Sequence, residues 1–161
     1  MIESIETFLF DTLGKELCVF ICSMIPIIEL RGAIPLAAGL GLPFWFAYIL
    51  SVVGNMLPVP IILLFVRVVL DWMKKIKGLQ RIAVWVEAKA DKHKGKIEKF
   101  AYVGLFLFVA IPLPGTGAWT GSLIAALMKM KFWKSLFWVF LGVLSAGVIM
   151  SIVSYGVASI F

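Results

Sequence analysis

Glu29 and Arg31 are two ionisable residues set deep in an otherwise apolar stretch. From Leu17 to Leu70 the only other charge is Arg67. A charged side chain at the centre of a bilayer costs about 2.5–3.5 kcal/mol on insertion scales, so its retention there marks it as a functional candidate. A guanidinium offers phosphate two parallel hydrogen bonds and stays charged, so Arg31 is expected to hold an anionic headgroup. Glu29, a carboxyl removed from water, is expected to carry a coupling proton. The alternative is a structural ion pair that pins one segment to another. Two residues apart, the pair would not face each other on a regular helix. At a non-helical tip they either pair or line one cavity.

Helix breakers crowd around both charges. Pro26, Gly32, Pro35, Gly39, Gly41 and Pro43 fall within one short run. A second run reads Pro112-Leu-Pro114-Gly115-Thr116-Gly117-Ala118-Trp119-Thr120-Gly121. Its Thr116 and Thr120 supply hydroxyls, and Gly115 and Gly117 allow close backbone approach. The candidate substrate-binding set is therefore Glu29, Arg31, Gly32, Pro35, Pro112, Pro114, Gly115, Thr116, Gly117 and Thr120, with Asn55. Asn55, near Pro58 and Pro60, reaches the cavity or bonds a neighbouring helix. Small residues also serve helix packing, which is the plainer reading of the glycines. Cys18 and Cys22, one helical turn apart in apolar surroundings, read as buried thiols. No nucleophile–base or metal constellation is present, so no enzyme, metal site or cofactor is expected.

The elements that must position these residues follow from hydropathy. Of the 161 residues, 62% are apolar, and the mean hydropathy is +1.05. Soluble domains sit near 45–50% apolar, so no aqueous core holds this excess. Period-two alternation is missing, which excludes a β-barrel reading. The expected fold is an all-α integral membrane protein. It comprises an inverted repeat of two re-entrant helical hairpins, crossing helices and amphipathic interfacial helices.

Residues 1–16 are expected as an interfacial helix, with Ile2, Ile5, Leu9 and Leu13 at helical spacing. Residues 17–43 form the first re-entrant hairpin, because the stretch from Leu17 to Pro26 spans only roughly 13 Å as helix. Broken backbone at membrane depth persists only where protein or a wet cavity satisfies it. Residues 44–72 cross, 73–99 form a basic amphipathic helix, 100–128 form the second hairpin, and 132–161 cross back. Both hairpins are followed by Phe-Trp, at Phe44-Trp45 and Phe132-Trp133. Arg67 is expected to snorkel to headgroups.

Charge sets the topology. Nine Lys or Arg lie between Lys74 and Lys99, against Glu87, Asp91 and Glu98. With no folded domain to present it, this run does not read as a nucleic-acid site. The positive-inside rule makes segment 74–99 cytoplasmic, facing anionic headgroups. Lys129, Lys131 and Lys134 share that side only if residues 100–128 enter and return. The halves then enter from opposite faces. A chain this small has few helices to enclose a cavity, so a homodimer or higher oligomer is expected.

The chain as a whole resembles the small multidrug export family of prokaryotic membrane proteins, through Glu29-Leu-Arg31-Gly32-Ala-Ile-Pro35 and Pro112-Leu-Pro114-Gly115-Thr116-Gly117. It distantly resembles the DedA (VTT-domain) superfamily, whose members carry facing re-entrant segments and include lipid scramblases and polyprenyl-phosphate flippases. Arg31, Pro35, Ala38 and Gly39 match one superfamily pattern, and Pro112, Pro114 and Gly115 match another. Thr116 and Phe108 stand where acids are usual, and the two patterns come in reverse order. The resemblance implies a transporter in a prokaryotic cytoplasmic membrane. The leading expectation is a flippase-like carrier of an amphipathic anion or lipid phosphate, with a polyprenyl-phosphate carrier as one candidate. The alternatives are a proton-coupled drug exporter and a non-transporting membrane scaffold.

Overall fold

Prolines and left-handed turns set most of the helix boundaries. The computed structural model describes residues 14–158 except 77, 79, 92, 93 and 114, and every regular element among them is an α-helix. These are α1 (Lys15–Met24), α2 (Glu29–Gly39), α3 (Phe44–Met56), α4 (Pro58–Lys74), α5 (Gln80–Asp91), α6 (Lys94–Ala110), α7 (Ala118–Leu127) and α8 (Phe132–Ala158). A proline pushes its predecessor out of the helical region. Ile25, before Pro26, accordingly has ψ 129 and ends α1.

α2 and α7 end by the same hydrogen-bond pattern. Leu42 N–H donates to Ala37 O at 3.0 Å and Gly41 N–H to Ala38 O at 3.1 Å. Met130 N–H donates to Ala125 O and Lys129 N–H to Ala126 O, both at 3.0 Å. This closure requires a left-handed residue after the helix. Gly41 (φ 72) fills that position in the first turn and Lys129 (φ 52) in the second. Edge-to-face ring pairs follow both turns, Phe44–Trp45 at 5.1 Å and Phe132–Trp133 at 5.2 Å.

Two apolar stretches are long enough to cross a membrane: Phe44–Lys74, of 31 residues, and Phe132–Gly156, of 25. At 1.5 Å per residue both exceed a hydrocarbon core of about 30 Å. The first is interrupted at Leu57, because Pro58 and Pro60 lack the N–H groups that would continue the ladder. Leu57 keeps helical angles (φ −61, ψ −43), so α4 continues from α3. Ile61, Phe65, Val68, Phe137 and Ile152 are exposed on these stretches, and Trp133 is 77% exposed. An apolar exterior of this extent is consistent with a membrane protein.

α1 packs on α2 and α3, α2 on α3 and α8, α4 on α7, and α6 on α8. One core holds Cys18, Val19, Cys22, Ala33, Ala37 and Ala47; another holds Leu30, Ile34, Val59, Leu63, Leu105, Val109, Val139 and Val143. Close approach rests on small residues. A methyl added at Gly142 of α8 would lie 2.7 Å from Val109 Cβ of α6. Cys18 and Cys22 are buried and form no disulfide.

Several expected boundaries move. Pro35 lies inside α2 rather than breaking it; its ring is on an exposed side, where one missing bond is tolerated. The segment expected as one basic helix over 73–99 is divided among the end of α4, α5 and the start of α6. α6 runs from Lys94 into the apolar residues because 94–99 contain no proline to stop it. Of the helix expected over 1–16, Lys15 and Glu16 belong to α1 and residues 1–13 lie outside the described residues.

Candidate functional site

The interruption between α1 and α2 lies against the interruption between α6 and α7, and side chains from each close the other. Helix ends leave backbone carbonyls and N–H groups without intrahelical partners. Arg31, in the first turn of α2, donates to one carbonyl at the end of α6, Val109 O, and to three in the loop that follows. Its Nη1 bonds Leu113 O at 2.8 Å and also Thr116 O; its Nη2 bonds Val109 O and Ile111 O, both at 3.1 Å. A fixed positive charge thus sits at the C-terminus of α6, where the helix dipole favours a cation.

Glu29 does the opposite task. Its Oε1 accepts the backbone N–H of Trp119, in the first turn of α7, at 3.1 Å. A carboxylate there supplies the cap that Gly117, at the N-cap position, cannot. Glu29 is 4% exposed and has φ 50, a left-handed angle uncommon for a residue with a side chain. Gly117 has φ 141, and a side chain there would run into the Glu29 carboxylate. Both the angle and the contact demand glycine.

Trp119 completes the exchange by donating its indole Nε1–H to Met24 O, at the end of α1, at 3.0 Å. Thr116 Oγ1 lies 3.0 Å from Ile111 O and 2.9 Å from Leu113 O, so its hydroxyl serves the same break.

Glu29 and Arg31 do not form an ion pair with each other. Arg31 lies within α2, whereas Glu29 is its first residue and has a left-handed angle, with its N–H donating to Ile25 O. They line one cavity of about 680 Å³ together with Gly32, Pro112, Gly115, Thr116 and Thr120. Pro26, Ile27, Ile28, Leu113 and Met150 make its apolar walls. The remaining sequence candidates are not brought there. Pro35 lies further along α2, Gly117 backs onto the Glu29 carboxylate, and Pro114 lies outside the described residues. Asn55 is fully buried in α3, with neither amide atom hydrogen-bonded. Arg67, expected to reach headgroups, donates instead to Met130 O.

Sequence reasoning missed Trp119 and Met150. Trp119 carried a signal, a lone donor-bearing aromatic inside the second glycine run. Met150, in the middle of α8, carried none.

The cavity is suited to an amphipathic molecule: apolar walls, the Thr120 hydroxyl, and two opposite charges that are not spent on each other. Glu29 Oε2 and Arg31 Nε are buried without hydrogen-bond partners. The four Nη bonds occupy the fork with which Arg31 would grip a phosphate.

Two membrane-length apolar helices, together with a charged cavity between the two breaks, are consistent with a membrane transport protein. The chain belongs to the family described as "Putative small multi-drug export protein", whose model matches residues 29–149. The match begins at Glu29 and takes in the α6–α7 break. No curated protein and no solved structure matches the chain.

Proposed function

We propose that this protein exports small amphipathic compounds across a prokaryotic cytoplasmic membrane, and that they bind in the cavity at Glu29 and Arg31. One observation carries this reading. The charges of α2 reach across to the break between α6 and α7 and line a single cavity with it. Helices broken at mid-membrane, with their ends aimed at a shared site, are a recurrent transporter arrangement. The family description agrees.

In the same proposal, α1–α2 and α6–α7 are re-entrant hairpins that enter from opposite faces and form an inverted repeat. The matching turn closures support it, since Met130 follows Leu42 by 88 residues. Phe132-Trp133 follows Phe44-Trp45 by the same interval, as does Trp119 after Arg31. Arg31 and Trp119 each donate to carbonyls of the other break, as counterparts would. In this register the counterpart of Gly117 is Glu29, whose carboxylate fills the space that a side chain at 117 would need. The basic residues of α5 and the Lys129–Lys134 turn then share the cytoplasmic side. Glu29 carries the coupling proton, and the chain works as a homodimer or higher oligomer in a membrane with anionic headgroups.

A second reading, flipping of a lipid phosphate, is favoured by one observation. Arg31 Nε has no hydrogen-bond partner, so the guanidinium keeps one donor for an anion although its Nη atoms are taken. Proteoliposomes under a proton gradient separate the two. Dye efflux abolished by Glu29→Gln supports drug export, and movement of a labelled polyprenyl phosphate abolished by Arg31→Lys supports flipping. Well-folded protein that moves neither substrate yet binds lipid would be a scaffold, and the proposal would fail.

A further inference from the structure

Two side-chain bonds tie the long helices to the turns at opposite ends of the molecule. The Tyr155 hydroxyl of α8 donates to Leu42 O at 2.7 Å. The Arg67 guanidinium of α4 donates to Met130 O. Leu42 and Met130 are corresponding residues of the two matching turns. Tyr155 follows Arg67 by 88 residues, the interval that also separates Met130 from Leu42. Donor and acceptor are thus exchanged between the halves in one register. A phenol and a guanidinium share no sequence likeness, so their common geometry comes from position.

The packing around them is exchanged in the same way: α2 lies on α8, and α7 lies on α4. Glu29 and Ala118 begin α2 and α7 at the central breaks, and each helix ends at its latched turn. The latched turns are therefore the outer ends of arms whose inner ends meet at the cavity.

We infer that Tyr155–Leu42 and Arg67–Met130 are two latches, one at each membrane face, and that releasing one alone opens the cavity toward its own side. This deepens the exporter reading and rests on its opposed hairpins. Swinging α2 away from α8 breaks the Tyr155 bond; swinging α7 away from α4 breaks the Arg67 bond. Each latch is one hydrogen bond to a carbonyl, strong enough to bias an equilibrium and weak enough to break in a transport cycle. Both are closed in this structure. The Arg67 latch has a charged donor, and the Leu42 turn has a second, charged tie where Lys15 Nζ donates to Leu40 O at 3.0 Å.

The test uses the full chain in vesicles of known orientation, with Cys18 and Cys22 replaced by Ala and Thr120→Cys as the cavity reporter. A membrane-impermeant thiol reagent is added from each side in turn. Glu16→Cys, next to Lys15 on the Leu40 side, and Lys131→Cys mark the two faces. Tyr155→Phe is expected to raise reporter labelling only from the Glu16 face, by about threefold to tenfold, as loss of one hydrogen bond allows. Arg67→Gln is expected to raise it only from the Lys131 face, and Arg67→Lys, which keeps a donor, to restore the parent rate. With the markers on opposite sides, both variants acting from one face, or neither changing the rate, overturns the latches alone. Markers that label from one side overturn the opposed hairpins, and the latches with them.

Discussion

The backbone N–H of Trp119 and the carboxylate of Glu29 lie 90 residues apart in sequence and 3.1 Å apart in space. Through this contact the first residue of α2 caps α7, while Arg31, two residues later, closes the C-terminus of α6. The two charges act as a brace between broken helices whose exposed dipole ends have opposite signs.

Removing the cap separates its structural role from a proton-carrying one. Glu29→Ala should lower stability in detergent by about 1 kcal/mol, the usual cost of losing a capping oxygen. Glu29→Gln keeps an oxygen for the Trp119 N–H and should cost less, yet abolish proton-driven efflux. Denaturant unfolding and efflux on the same two variants check both statements. Efflux that survives Glu29→Gln would leave Glu29 purely a brace.

Arg31 satisfies four carbonyls at once. Arg31→Ala should destabilise by about 1.5–3 kcal/mol, because it removes the charged donor that these carbonyls share. Arg31→Lys retains the charge, but a compact ammonium with three donors cannot reach four acceptors arranged around a planar fork. It should fall between wild type and Arg31→Ala in thermal unfolding. Equal behaviour of Lys and Ala at this position would mean that fork geometry, not charge, is what the break requires.

Gly117 and Glu29 compete for the same space. Gly117→Ala should cost about 1–3 kcal/mol from its left-handed angle and the clash with the carboxylate. Combining it with Glu29→Ala removes the steric part. A double-mutant cycle should therefore show a coupling of about 0.5–3 kcal/mol. Strict additivity would show that the carboxylate lies elsewhere.

Trp119→Phe keeps an aromatic body but deletes the donor to Met24 O. A loss of about 0.5–1.5 kcal/mol is expected. Hydrogen exchange should rise at the end of α1, far along the chain from the substitution, and an unchanged α1 would argue against the exchange of caps.

The breaks themselves were legible. Pro26 and the Pro112–Gly117 run stop α1 and α6 because a missing N–H or a left-handed angle acts on the chain locally, whatever surrounds it. Pro35 was misread for the complementary reason. A single proline on an exposed side of α2 costs one bond, and packing on α3 and α8 outweighs it. The basic run was misdivided because charge reports the side of a membrane, not where a helix begins.

Composition and spacing alone determined the lipid-scale hydropathy, the positions of the interruptions, and the choice of Glu29 and Arg31 as the residues to explain. Only the tertiary structure decided what those two residues touch, that Asn55 stays away from the cavity, and that Tyr155 and Arg67 hold corresponding turns. Local rules act over a few residues, through backbone angles and missing donors. The partner of an orphaned helix end is whichever donor or acceptor the packed chain brings within about 3 Å, and periodicity carries no record of a neighbour 80 to 90 residues away.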